Sequence, residues 1–288
     1  MDIDFLELQN VTIKLPNSKK FIFNNLNLSF NNNSSIIGLL GSNGSGKTVL
    51  AKVIMGLIKI KSGQINLFGK DIANVRTTKR LDLVSLSFQM INMSFLKQTI
   101  HDELTYNQYL NIKRKKTVNT PIEKLISSQN FLTGKENQHP LTLSGGEKRK
   151  LSFYLLKMND PEFYILDEPT VGLDQYGIQE LIKEIKQLQR LKKKILLITH
   201  NLAFLMALTD EVIIIEKDEQ SQISSLNYQG SLTAYLLSNT DQATSFLSIP
   251  LEFGLYRNQL LSKEINEQID YKTFLEMNNN QVLKNKVK

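Results

Sequence analysis

The chain has 288 residues, 41% apolar and 22% charged, no cysteine, and a formal net charge of +7. That length buries a sizeable core in one large domain or two, and the lack of cysteine excludes disulfides and thiolate metal sites. No run approaches the roughly 18 consecutive apolar residues of a membrane-spanning helix, so the chain is not expected to cross a membrane by itself. It starts MDIDFLELQN, acidic and already alternating, which reads as neither a signal peptide nor a basic targeting arm. The positive balance would suit nucleic acid or an anionic membrane face. Its short runs, Lys113-Arg114-Lys115-Lys116 and Lys192-Lys193-Lys194, have no interleaved aromatics. They read as a solvated loop and a helix-to-strand turn, and no nucleic-acid partner is expected.

In chain order, residues 6–30 alternate as strands, through Leu6 and Leu8 and again through Leu26, Leu28 and Phe30. An Asn31-Asn32-Asn33 turn leads into an apolar strand, 35–40, and then into GSNGSGKT. Here Gly41, Ser42, Asn43, Gly44, Ser45, Gly46, Lys47 and Thr48 fit the phosphate-binding loop spacing. Backbone N–H groups must approach an anion there, and a Cβ at the glycine positions would obstruct them. The helix after it, with Val49, Val53, Ile54 and Leu57 at helical spacing, aims its free N–H groups at the same anion. Lys47 would reach the β/γ-phosphates and the Thr48 hydroxyl would ligate Mg²⁺.

Further strands are expected at 62–72, with a Gly69-Lys70 turn, and at Leu83–Phe88. From about 90 to 143 the strand signal fades into a polar stretch with helical patches near 94–110 and 121–132. From Gly145 helix alternates with strand: a helix near 146–157, strand Phe163–Leu166, a helix near 175–191, strand Ile195–Thr199, a short helix near 202–208 and strand Val212–Ile215. That order implies a parallel sheet. After about 228 comes a tail of amphipathic helical character.

Two further features carry chemistry. FYILDEPT puts two carboxylates at a strand end. Asp167 suits Mg²⁺, held through water, and Glu168, pointing the other way, suits a general base. Ser144-Gly145-Gly146 opens a basic helix as a second anion site. Two such sites for one nucleotide are explained most economically if each serves a different nucleotide across a dimer.

With these residues in order, the chain resembles the ATP-binding subunits of ABC transporters over most of residues 1–230. Gly41–Thr48 is similar to the Walker A loop, Gln89 to the Q-loop glutamine, and Leu143–Glu147 to the LSGG signature. Phe163–Asp167 is similar to Walker B with Glu168 as catalytic glutamate, Val171–Asp174 to the D-loop, and His200 to the switch histidine. The resemblance implies an α/β fold: a P-loop NTPase core with N-terminal antiparallel strands (1–89 and 144–228), an inserted helical subdomain (90–143) and a C-terminal helical extension (229–288). It implies ATP and Mg²⁺ as cofactors, with Thr48, Gln89 and Asp167 toward the metal and Glu168, Gln89 and His200 catalytic. Two subunits, as a homo- or heterodimer, would sandwich two ATP molecules head to tail. The loop of one subunit would face Ser144, Gly145, Gly146 and Glu147 of the other.

Membrane partners are implied as well: a transmembrane coupling protein and a substrate-binding membrane subunit, with the chain peripheral on the cytoplasmic face of the membrane. The apolar residues Met90, Ile91, Met93, Phe95 and Leu96 are either a docking groove for that partner or internal packing. The compact Gln89-to-Leu143 interval, HPLTLSGGE and the tail SFLSIPLEFGLYRNQL resemble the energy-coupling factor (ECF) class of vitamin and cobalt importers. MINMSFLKQTI after Gln89 lacks that class's Pro-Asp-x-Gln, so another ABC importer remains the alternative. A non-transport ABC ATPase acting on nucleic acid or ribosomes is supported only by the basic charge. The aromatic that usually stacks on adenine is replaced by Leu15, with Phe21 or Phe23 as substitutes, and Glu147 stands where glutamine is commoner.

Overall fold

In the computed structural model, the described residues are 4–15, 20–31, 33–87, 94–114 and 121–238. β1 (Leu6–Lys14) and β2 (Phe21–Phe30) pair antiparallel, and β4 (Ser62–Leu67) with β5 (Lys70–Asp71) extends them. β3 (Ile36–Leu40), β8 (Lys194–Ile198), β7 (Phe163–Asp167) and β6 (Val84–Ser87) run parallel. β9 (Glu211–Lys217) joins β3 in parallel, and β10 (Ser224–Ser231) closes back antiparallel on β9 and touches β2. The result is one ten-stranded mixed sheet in the order β5-β4-β1-β2-β10-β9-β3-β8-β7-β6.

The central strands β3, β7 and β8 are apolar apart from Asp167 and Lys194 at strand ends, because both faces are covered. Their period-two alternation divides them between two cores. Ile37, Leu39, Phe163, Ile165, Leu196, Ile198, Ile213 and Ile215 face one core, shared with β1, β2, β4 and α1 (Lys47–Met55). Ile36, Leu40, Tyr164, Leu166, Ile195, Leu197, Val212 and Ile214 face the other. There they meet α6 (Gln175–Arg190), α7 (Leu202–Met206) and α8 (Leu232–Ser238). A third cluster builds a helical lobe from α3 (Ile100–Lys113), α4 (Ile122–Ser127) and α5 (Gly145–Met158). α5 belongs to both units, since Leu151, Leu155 and Met158 enter the lobe while Leu156 enters the second core. Buried Asn111 locks the lobe to it by donating to the Met158 carbonyl at 2.7 Å.

Most expected elements fall within a few residues of where the sequence places them. β10 runs across residue 228, the expected start of the C-terminal extension. α8 then buries Leu232, Tyr235 and Leu236 in the second core, so the sheet unit runs on through this helix. The rest of the expected extension lies outside the described residues. β10 is polar and carries little strand signal; its pairing with β9 and the Tyr228–Tyr235 ring contact at 4.9 Å hold it in place.

Behind the phosphate loop, the far end of α1 is held by a buried arginine. Arg80, at the end of α2 (Thr77–Arg80), is 3% exposed and spends every N–H on a backbone carbonyl. Nη1 donates to Val53 and Ile54 of α1 at 2.9 and 2.8 Å, Nε to Val75 at 3.0 Å, and Nη2 to Ala73 at 3.1 Å and to Ile72. A cation at a helix C-terminus complements its dipole, and here it also satisfies orphan carbonyls. Gly56 makes room, because a Cβ there would lie 2.8 Å from Arg80 Nε. Arg80→Ala would strand several buried acceptors, so we expect a loss of about 3 kcal/mol or more, read as a lowered urea midpoint. Unchanged stability would show that water replaces the guanidinium at no cost.

Candidate functional site: a phosphate loop facing two carboxylates

The loop runs from the end of β3 into α1, and two of its glycines are required by geometry. Gly41 has φ 147°, and a Cβ there would lie 2.1 Å from the Ile215 carbonyl oxygen. Gly46 has φ 91°, and a Cβ there would meet the Phe23 ring at 2.8 Å. Both positions are closed to side chains by steric overlap and a left-handed backbone. α1 starts at Lys47 without a side-chain cap and with no acidic residue in its first turn. Its N–H groups and dipole are therefore free for an external anion. Ser45 Oγ is fully buried and has no hydrogen-bond partner. Lys47 is 7% exposed, and its ammonium donates to the Gly41 and Ser42 carbonyls at 2.8 and 2.9 Å. Burial lowers its pKa, and Glu168 and Asp167 pull it back up. An uncapped helix end, an orphaned hydroxyl and a folded-back ammonium together fit a polyphosphate.

Beside the loop, β7 ends at Asp167, which is 3% exposed. Its Oδ2 accepts from the Thr48 hydroxyl at 2.8 Å, and its N–H donates to Ser87 Oγ at 3.3 Å. Thr48 and Asp167, a hard hydroxyl and carboxylate oxygen side by side, are the kind of donors that would hold Mg²⁺. Among the described residues no cluster of three or more His, Cys, Asp or Glu forms a metal cage.

Glu168 is the next residue, a non-glycine in the left-handed region at φ 49°. Its N–H donates to the Ile198 carbonyl at 2.8 Å, tying the end of β7 to β8. One carboxylate oxygen accepts from the Thr199 hydroxyl at 3.3 Å, and the other lies 3.6 Å from His200 Nε2. The backbone twist turns Glu168 toward Thr199 and His200. Strain held at such a residue is common at functional sites.

Burial raises both carboxyls above their ordinary range. For Asp167 the Thr48 hydroxyl and Lys47 pull the other way, and for Glu168 His200 does. Arg149 of α5, 5% exposed, adds a second cation that interacts with both. Its guanidinium also donates to the Val171 carbonyl at 3.3 Å. Arg149 and Thr199 were not singled out in the sequence, although each sits next to a motif that was.

The signature residues lie on a separate element. Ser144 caps α5, and Ser144 and Glu147 form a reciprocal capping box. Gly145 and Gly146 lie open beside the Gly172 carbonyl, which is 3.9 and 3.8 Å from where their Cβ atoms would stand. Gln89 lies outside the described residues, as do Met90, Ile91 and Met93. Of the adenine-stacking candidates, Phe23 is excluded: it is fully buried beneath Gly46. Leu15 and Phe21 are half-buried, with the Lys61 ammonium 4.8 Å from the Phe21 ring centre. A cavity of about 490 Å³ between α5 and α6 touches Ser87 and Arg149 but none of the loop, so it is not the phosphate site.

A carboxyl that titrates higher in the fold than in the unfolded chain stabilises the fold when protonated. That contribution is lost as pH rises from the unfolded pKa through the folded one. Glu168→Gln should therefore raise the melting temperature of the protein without nucleotide at pH 7. The gain should shrink toward zero near pH 4, where the unfolded-state Glu itself begins to protonate. Scanning fluorimetry across this range checks it, and equal gains at both ends would sink the burial explanation.

Residues 23–171 match the ABC transporter family. A Pyrococcus horikoshii protein named as an ABC transporter ATP-binding protein is 33% identical over 67% of this chain and 74% of its own. The energy-coupling factor transporter ATP-binding protein EcfA1 of Mycoplasma mobile is 29% identical over 74% of this chain and 77% of its own. Among solved structures, a dimeric ATP-binding cassette in a post-hydrolysis state, bound to ADP and Pi, aligns with TM-score 0.65 at 19% identity, over 79% of this chain and 98% of that one. The fold is that of ABC ATPase cassettes, and the chain belongs to the ABC transporter family as an ATP-binding subunit with ATPase activity.

Proposed function

We propose that this chain is the ATP-hydrolysing subunit of an ECF-type importer, energising uptake of a small solute such as a vitamin or metal ion through separate membrane proteins. One observation carries the ATPase chemistry: Lys47, Thr48, Asp167, Glu168 and His200 converge at one strand edge. The resemblance of the sequence to the ECF class, together with the Mycoplasma relative, supports the import assignment.

In this reading Gly41–Thr48 holds the phosphates of ATP. Thr48 and Asp167, with Gln89, hold Mg²⁺, which when bound screens the phosphate charge. Lys47 leaves the Gly41 and Ser42 carbonyls for the β/γ-phosphates. Glu168 accepts a proton from the attacking water, whose oxygen bonds the γ-phosphorus as the bond to ADP breaks. A carboxyl raised by burial is a better base than an exposed one. His200 holds the water and γ-phosphate in line, with Glu168 oriented by Thr199. Ser144–Glu147 closes on the ATP of a second subunit, so the working unit is a dimer.

No described helix is long and apolar enough to cross a membrane, and in this reading a membrane partner docks on the lobe. Within the expected groove, Phe95 packs against the lobe core and is structural, whereas Leu96 is 72% exposed. Leu96 joins Lys97, Tyr106 and Tyr109 around an open depression on the lobe. We place the docking surface for the coupling protein there, at the cytoplasmic face of the membrane.

Glu168→Gln should keep ATP binding and lower hydrolysis by about 10²–10⁴-fold, while Lys47→Ala should weaken nucleotide binding itself. Near-normal turnover of Glu168→Gln in the assembled complex would remove its role as base. Separately, Leu96→Glu should release the chain from membranes in a pelleting assay with ATP binding unchanged. Full retention, or pelleting with ribosomes instead, would overturn the docking assignment.

A further inference from the structure

Glu147 places a carboxylate at the N-terminus of α5, where the composite-site reading puts the ATP of a second subunit. Its Oε2 accepts from the Ser144 N–H at 3.0 Å and from the Ser144 hydroxyl at 2.9 Å. Ser144 Oγ in turn accepts from the Glu147 N–H at 3.3 Å. The arrangement is sound helix chemistry, since a carboxylate in the first turn satisfies orphan donors and complements the dipole. For a phosphate it is an obstacle. The carboxylate occupies the same positive field, and the Ser144 hydroxyl proton is already committed to it.

The counter-charge comes from within the chain. Lys135, in the turn between α4 and α5, ion-pairs through its ammonium with the other oxygen, Oε1. The two side chains are 32% and 25% exposed, so the pair is shielded from water more than a typical surface pair. The Lys135 contact is also the chief reason the Glu147 carboxyl sits below its ordinary range. The turn is held firmly. Lys135 N–H donates to Leu132 at 3.0 Å, and its carbonyl accepts from Gln138 at 2.9 Å. Ile100 and His101 of α3 donate to the Gln138 and Glu136 carbonyls at 3.0 and 2.9 Å. Lys135 is therefore delivered to Glu147 by fixed backbone.

We propose that Lys135 is a positioning residue for the signature, resting on the composite-site reading. Its ammonium neutralises Glu147 and weakens the carboxylate's hold on the Ser144 hydroxyl, so that the α5 N–H groups and that hydroxyl can donate to the terminal phosphate of a nucleoside triphosphate held by the opposing subunit. Glutamine, commoner at position 147 in the family, would require no such cation. Lys135 and Glu147 act as a matched pair.

The test is a double-mutant cycle on ATP hydrolysis by the full-length chain in its membrane complex. Lys135→Met should raise KM for ATP about tenfold, the effect of about 1.4 kcal/mol of uncompensated charge, with a smaller change in kcat. In a Glu147→Gln background the same substitution should shift KM by less than about twofold. Lys135→Arg, which keeps the charge, should stay within about twofold of wild type, and it keeps the test open if the methionine variant folds poorly. A mere staple between turn and helix would lower thermal stability and kcat alike in both backgrounds. Equal KM shifts in the two backgrounds overturn the proposal, as does no shift while Ser144→Arg abolishes turnover. If Ser144→Arg turns over normally, the composite-site reading fails and takes the proposal with it.

Discussion

β3, β8 and β7 lie side by side and parallel, with Leu39 and Asp167 both in register with Ile198. Their C-terminal ends therefore open on one edge, and each chain segment leaves that edge carrying a polar residue the site uses. β3 delivers Lys47 and Thr48 through the glycine loop, β7 delivers Asp167 and Glu168, and β8 delivers Thr199 and His200. Ligand sites in open parallel sheets form at this edge because only there do loops from neighbouring strands converge. Register is what makes the contacts possible. A one-residue slip in β7 would turn Asp167 toward the opposite core and expose Leu166.

What collects at this edge is a set of groups whose burial costs the fold stability. Asp167 and Glu168 are both raised by burial, while Lys47 and Arg149 are both lowered by it. Each charge partly compensates another, but none has the full shell of partners that water would give. Ser45 Oγ is buried without any partner. Such arrangements concentrate where a ligand completes them. The apolar strands supply the stability that this edge gives up.

The sequence made the loop, the carboxylate pair, the signature and the histidine legible because each is a short run whose spacing is fixed by local geometry. The central strands were legible for a similar reason: residues buried on both faces read as continuous apolar runs. What escaped was built from tertiary contact. β10 is a strand only because β9 offers an edge, and Arg80 looks like any surface cation until five carbonyls converge on it. Phe23 shows the limit of motif reasoning. An aromatic upstream of the loop suggests a base-stacking ring, yet its ring is the floor beneath Gly46.

α5 connects these observations mechanically. Its first residue follows Ser144, which faces away toward a second subunit in the composite reading, and Arg149 lies five residues beyond Ser144 on the same helix. Arg149 contacts the Val171 carbonyl and interacts with both Asp167 and Glu168. Gly172, next along the chain, lies against Gly145 and Gly146. A rigid helix cannot take up an anion at its N-terminus without loading these contacts, because packed elements transmit displacement with little absorption. Binding at one subunit's signature would thus bear on that subunit's own Asp167 and Glu168 through a single helix and a single turn. The same helix carries the lobe, through Leu151, Leu155 and Met158, so a displacement of α5 passes directly into the lobe.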